Sequence, residues 1–130
     1  EQSSTTFGNA FYSLDVVKIL KPESIIVVSN EFHRCLVEYS FDKVFGNKYP
    51  YILHIVPDSC LGIDISTIKQ RKILIDKLVR ECYPILFLNV KNGDVEVLKS
   101  IIEGPRNMEF EHHIKMILNV NESTDIVSIV

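Results

Sequence analysis

Apolar residues recur at Phe7, Ala10, Phe11, Leu14, Val17 and Leu20, behind a run of hydroxyl-bearing residues at positions 3–6. Steps of three and four residues put such a series on one helix face, and a Ser or Thr ahead of it supplies the N-cap. Lys21-Pro22 closes the segment, because the residue before a proline is driven out of the α region. The pattern then changes. Residues 24–29, SIIVVS, carry four consecutive β-branched residues without alternation, which predicts a strand covered on both faces in a parallel α/β sheet. Helical spacing returns over residues 31–45 at Phe32, Leu36, Tyr39 and Val44, and Gly46-Asn47 offers a C-terminal stop. Residues 51–56 predict a second strand, closed by Pro57-Asp58. Helix, strand, helix, strand at these separations is the pattern of βαβ units.

Further along, residues 66–82 predict a charged amphipathic helix with Ile68, Ile73, Leu74, Leu78 and Val79 facing inward. Residues 84–90, PILFLNV, fit a strand or a buried helix, since a short apolar run does not separate the two. Asn92-Gly93-Asp94 is a turn into a helix over 95–103 that Gly104-Pro105 breaks. A helix over 109–118 and an extended tail over 125–130 complete the expectation. No internal repeat or linker divides the chain, so residues 1–130 read as a single α/β domain.

Composition narrows the classes. Apolar residues form 46% of the 130, enough for a real core. The net charge of −3 comes from interleaved acids and bases, so no basic stripe marks a nucleic-acid partner. The apolar runs are too short for a membrane span. Three cysteines, Cys35, Cys60 and Cys82, form no CxxC pair. An odd, dispersed set argues against a disulfide framework or zinc site and for a reducing, cytoplasmic setting.

In an open parallel sheet, ligands bind beyond the carboxyl ends of the strands. Ser29, Asn30, Glu31 and His33 fall at that end of the first strand, and Asp58 and Ser59 at that end of the second. The first-turn N–H groups of the helix after Asn30 would point into the same space with partial positive charge. The residues at 3–6 would join them if their helix opens on that side. His33 is the candidate acid, base or hydrogen-bond donor, because its charge changes near neutral pH. Arg34 is a candidate anion clamp. Capping alone would also account for Ser29 and Asn30. Cys35 sits in an apolar series and reads as packing, and His54, inside the second strand, as core or sheet-facing. His112-His113 with Glu109 and Glu111 lack metal-ligand spacing and read as a solvated helix face, so no metal is expected. No GxSxG elbow, Walker loop or GxGxxG fingerprint occurs.

The two stretches EQSSTTFGNA and SIIVVSNEFHR resemble the YdcF/SanA/ElyC-like family, a domain of unknown function. Family members carry an acidic residue, a Ser/Thr-rich segment running into T-x-x-N-A, and later a strand ending in (T/S)-S-x-(F/Y)-H-x-x-R-A. Glu1, Ser4, Thr6, Asn9 and Ala10 match the first motif, and Ser29, Asn30, Phe32 and His33 the start of the second. The resemblance covers about residues 1–58. The family arginine three residues after the histidine falls on Leu36, and Arg34 stands two positions earlier. The family's first strand, with its glycine-rich turn, precedes the segment with which this sequence begins.

The resemblance implies a Rossmann-like three-layer domain with a mainly parallel sheet, of which residues 1–130 would be either the carboxyl-terminal part of a longer family domain or a version without the amino-terminal strand. It also implies a polar pocket beside Thr6, Asn9, Ser29 and His33, a link to the cell envelope, and a nucleotide-like or S-adenosylmethionine-like ligand. The expected function is small-molecule binding, with Ser4, Thr6, Asn9, Ser29, Asn30 and Arg34 holding the ligand and His33 the one candidate catalytic residue. The alternatives are a hydrolase or transferase acting on a phosphorylated or envelope-derived substrate, and a non-catalytic protein-interaction domain.

Overall fold

A computed structural model describes residues 5–104 together with 112, 114–116, 118 and 119. Helix α1 spans Thr6–Leu20 and is capped by Thr5, whose hydroxyl accepts the Gly8 N–H at 3.0 Å. It buries Phe7, Ala10, Phe11, Leu14 and Val17, while Leu20, the expected end of the series, is exposed. Lys21 turns into the left-handed region at φ 47° ahead of Pro22. Strand β1 covers Ile26–Asn30, a 3-10 turn covers Glu31–His33, helix α2 covers Arg34–Phe45 and strand β2 covers Ile52–Val56. The strands pair in parallel, from Ile26 opposite Ile52 to Asn30 opposite Val56, with α2 as the crossover.

The chain is thus mixed α/β with a parallel strand pair, and its core lies among the helices. Leu14, Leu36, Val44, Phe45, Ile75, Leu78 and Leu98 are almost wholly buried. Neither strand buries a residue. On one face Ile26, Val28, Ile52 and His54 stand exposed, in register with one another. The expectation of a strand covered on both sides is therefore corrected, and His54, expected in the core or facing the sheet, is exposed. A continuous β-branched run shows that both faces are apolar, not that both are covered.

Helix α3, Ile65–Lys77, starts at the Asp64 cap and runs through a π-helical turn, Leu78–Cys82, into α4, Tyr83–Leu86. The 84–90 run is therefore helical at its start, and among the described residues no strand forms there. Pro84 gives the wide turn a physical reason: it lacks an N–H, and its ring would crowd the carbonyl four residues back in a continuous α-helix. The Tyr83 N–H reaches back to the Leu78 carbonyl instead. Facing also differs from expectation, since Ile73 is exposed and Ile75 is the fully buried residue. Tyr83 and Phe87 join Phe7 and Tyr39 in an aromatic cluster, with the Phe7 and Phe87 rings stacked at 4.6 Å.

Helix α5 spans Val95–Ile102 and is capped by Asp94. The turn before it docks on the end of α2: Gly93 N–H donates to the Lys43 carbonyl at 2.8 Å, and the Lys43 ammonium donates to the Val90 carbonyl. Gly46 is required at this contact. Its φ is +56°, and a Cβ would lie 3.1 Å from Asn92 O and from Gly93 Cα. Residues 112, 114–116 and 118 are helical, and Ile114 and Leu118 enter the core. The rest of the 109–118 helix and the 125–130 tail lie outside the described residues.

Candidate functional site

At the carboxyl ends of β1 and β2 the two strand exits are tied together. The Asp58 carboxylate accepts the Phe32 N–H at 3.1 Å, and the Glu31 carboxylate accepts the Asp58 N–H at 3.3 Å. Asn30, extended at φ −104° and ψ 167°, caps the turn by accepting the His33 N–H at 3.1 Å. The Arg34 N–H is bonded to the Glu31 carbonyl. The Phe32, His33 and Arg34 amides, expected to face a ligand, are therefore already engaged by the protein's own side chains and backbone. That corrects the expectation of an anion cradle at this helix start. It also makes Asp58 and Glu31 braces of the strand ends.

Beside this brace lies a cleft of about 300 Å³ lined by Thr6, Asn9, Val27, Val28, Ser29, His33, Val37 and Phe41. Helix α1 contributes Thr6 and Asn9 from its first turn, β1 contributes Ser29, and the turn after it contributes His33. Residues from both stretches that carried the family resemblance thus meet around one space. Val37 and Phe41 add an apolar wall one and two turns into α2, which sequence reasoning had not singled out. Their signal was present in the sequence, because His33, Val37 and Phe41 repeat every four residues on one helix face.

The His33 ring packs on Phe32, which is buried, at 4.2 Å between centroids, and its Nδ1 lies 3.0 Å from Asn30 Oδ1. Among the described residues no permanently charged side chain lines the cleft. Arg34 does not line it. Its Nε lies 3.0 Å from Glu38 Oε1, one turn along the exposed face of α2. Leu36, at the position where the resemblance would place arginine, is 0% exposed and belongs to the core. Ser4 lies outside the described residues.

The other chemistry-bearing residues are placed elsewhere. Cys35 donates to Asp76 Oδ1 at 3.1 Å, and burial, helped by that carboxylate, pushes its thiol up to about 11. Such a thiol is a poor nucleophile at neutral pH, in keeping with packing. Cys35, Cys60 and Cys82 are all free. His112 is exposed, whereas His113, Glu109 and Glu111 lie outside the described residues. Among the described residues no three metal-ligating side chains cluster, and no helix is long and apolar enough to cross a membrane.

No protein-family model, curated protein or solved structure matches this chain.

Proposed function

We propose that this domain binds a small, hydroxyl-bearing ligand, the ring of a sugar or nucleoside, in the cleft between α1 and the end of β1. The observation that carries the reading is the lining itself. Two hydroxyl side chains, an amide and an imidazole converge with Val37 and Phe41 around about 300 Å³. That volume is at the small end of ligand pockets, roughly 300–1,000 Å³, and the mixture of an apolar wall with a few polar groups is their usual make-up. A phosphate is disfavoured there. The nearby amides are engaged, Arg34 is paired with Glu38, and Glu31 and Asp58 bring negative charge to the strand ends. A nucleotide-like or adenosyl ligand would accordingly enter by its neutral nucleoside part.

The reading keeps the YdcF-like resemblance as its frame, supported by the meeting of Thr6, Asn9, Ser29 and His33. A Rossmann-like third layer is part of the same proposal, and the exposed face of Ile26, Val28 and Ile52 is the surface that such a layer would bury. The test is calorimetric titration of the wild type and His33→Ala with ribose, adenosine and adenosine monophosphate. The expected result is binding of a neutral ligand that weakens about tenfold in His33→Ala, the worth of one hydrogen bond. Absence of binding by all three, or markedly tighter binding of the phosphorylated form, would overturn the proposal.

A further inference from the structure

A second cleft opens at the amino ends of the strands, away from the one at their carboxyl ends. It encloses about 370 Å³ between the last turn of α1, the lead-in to β1 and the lead-in to β2. The two lead-ins run side by side, since the Ile52 N–H donates to the Ile25 carbonyl at 2.9 Å. Lys18 comes from α1, Lys21 from its cap and Lys48 from the segment before β2, and all three line the space. Glu23 is the one acid in the lining. Among the described residues none of these four side chains has an ion-pair partner. In a chain whose net charge is −3, three lysines against one glutamate give this cleft a local charge of +2.

Two features set the cluster apart from scattered surface lysines. Lys21 holds φ 47° and ψ 57°, a left-handed cap at which glycine is the usual residue, so the chain carries a cation there at a conformational cost. Lys18 and Lys21 also offset the negative carbonyl end of α1, but Lys48 belongs to another element and has no such duty. Its Nζ lies 5.6 Å from the Tyr49 ring centroid, and that ring packs edge-on against buried Phe45. Val17, Ile25 and Tyr49 supply an apolar lining beside the ammonium groups.

We propose that this cleft binds a small phosphomonoester, with its phosphate among Lys18, Lys21 and Lys48 and its organic part against Ile25 and Tyr49. A phosphomonoester carries a charge of about −1.5 to −2 near neutral pH, which the positive excess of the cleft matches. Lysine meets phosphate as a point charge, whereas a planar carboxylate is best matched by the arginine fork, and no arginine lines this cleft. Its volume is within the range of ligand pockets and leaves room for an organic group beyond the phosphate. Ile25, just before β1, and Ser29, near its end, are four residues or roughly 13 Å apart. The site therefore stands or falls independently of the neutral-ring reading.

The test is NMR titration of the whole chain with phenyl phosphate, benzoate and phenol at low ionic strength, where exposed charges are least screened. Phenyl phosphate is expected to give saturable shifts at the Lys21, Ser24 and Lys48 amides, benzoate to bind about fivefold more weakly, and phenol not to bind. Lys48→Gln and Lys21→Gly should each weaken phenyl phosphate about fivefold, the upper worth of an exposed ion pair. The glycine keeps the cap, because it adopts positive φ without strain. Glu23→Gln removes a repelling carboxylate and should tighten binding about threefold, while Lys72→Gln, on α3, should leave it unchanged. Vesicles of phosphatidic acid in phosphatidylcholine separate the two sources of such a group. Sedimentation of wild type but not of Lys48→Gln assigns a lipid headgroup, and no sedimentation of either assigns a free phosphomonoester. Absence of saturable shifts with phenyl phosphate, equal binding of benzoate, or an affinity that neither lysine variant lowers would overturn the proposal.

Discussion

Replacing Leu36 separates a core position from a ligand contact. Leu36 is 0% exposed, belongs to the same core cluster as Leu14, Phe45, Ile75 and Leu78, and its carbonyl accepts the Ser40 hydroxyl at 2.7 Å. Truncation to alanine removes the buried leucine carbons and leaves a cavity, at a cost of about 2–5 kcal/mol. Domains of this size have about 5–15 kcal/mol in total, so a large share of the stability would go. With a urea slope of about 2 kcal/mol per molar, the midpoint should fall by roughly 1–2.5 M while the slope stays unchanged. Leu36→Arg is the harsher variant, because a guanidinium at this site has no solvent and no built partner, and it should leave the domain unfolded. Val28→Ala, at a position 64% exposed, is the control and should shift stability by less than about 0.5 kcal/mol. The reasoning would be refuted by a folded Leu36→Arg protein with a wild-type midpoint, for then position 36 would face a site as the resemblance implies.

Gly46→Ala should lose about 1–3 kcal/mol in the same assay, because it forces a Cβ onto the Asn92–Gly93 backbone at positive φ; an unchanged midpoint would mean that the turn does not dock on α2. Timed alkylation with iodoacetamide near neutral pH should modify exposed Cys60 first and Cys35 much more slowly, since its thiol is held neutral up to about 11. Equal rates, read by mass spectrometry, would contradict the burial assigned to Cys35. Alkali should destabilise the fold. The folded thiol of Cys35 is raised from 9.0 to about 11, so its contribution is complete below pH 9 and is lost as pH rises toward 11. Burial raises Cys82 and Tyr83 in the same direction. Urea midpoints measured from pH 7 to 11 should be level below 9 and fall above it, less steeply in Cys35→Ala than in wild type.

Up to residue 56 the element order was legible because strong punctuation marks each boundary: Lys21-Pro22 after α1, Gly46 after α2, Pro57 after β2. The parallel pairing followed from two strands with a helix between them. Coverage of the sheet was not legible, since SIIVVS reads alike whether or not something packs on Val28. The facing of α3 failed for a local reason. Ile73 and Ile75 offer competing phases, and only tertiary packing selects the Ile75–Leu78–Cys82 stripe that leads into the wide turn before Pro84. At the strand end, His33 stood out by position alone. The bond from Phe32 N–H to Asp58 spans 26 residues and has no local signature, so the amides looked open when they are closed. Arg34 with Glu38 was a readable i,i+4 pair, and it explains why that cation stays on the helix surface.

The central claim is that Thr6, Asn9, Ser29 and His33 form one binding surface for a neutral hydroxylated ring. Chemical-shift mapping tests it most directly, by following the Asn9 side-chain amide and the His33 ring while adenosine and ribose are titrated into the protein. The account predicts saturable shifts at both residues with at least one of these ligands, and none at Arg34 or His54. Shifts confined to other surfaces, or no shift at either residue with both ligands at saturating concentration, would contradict it.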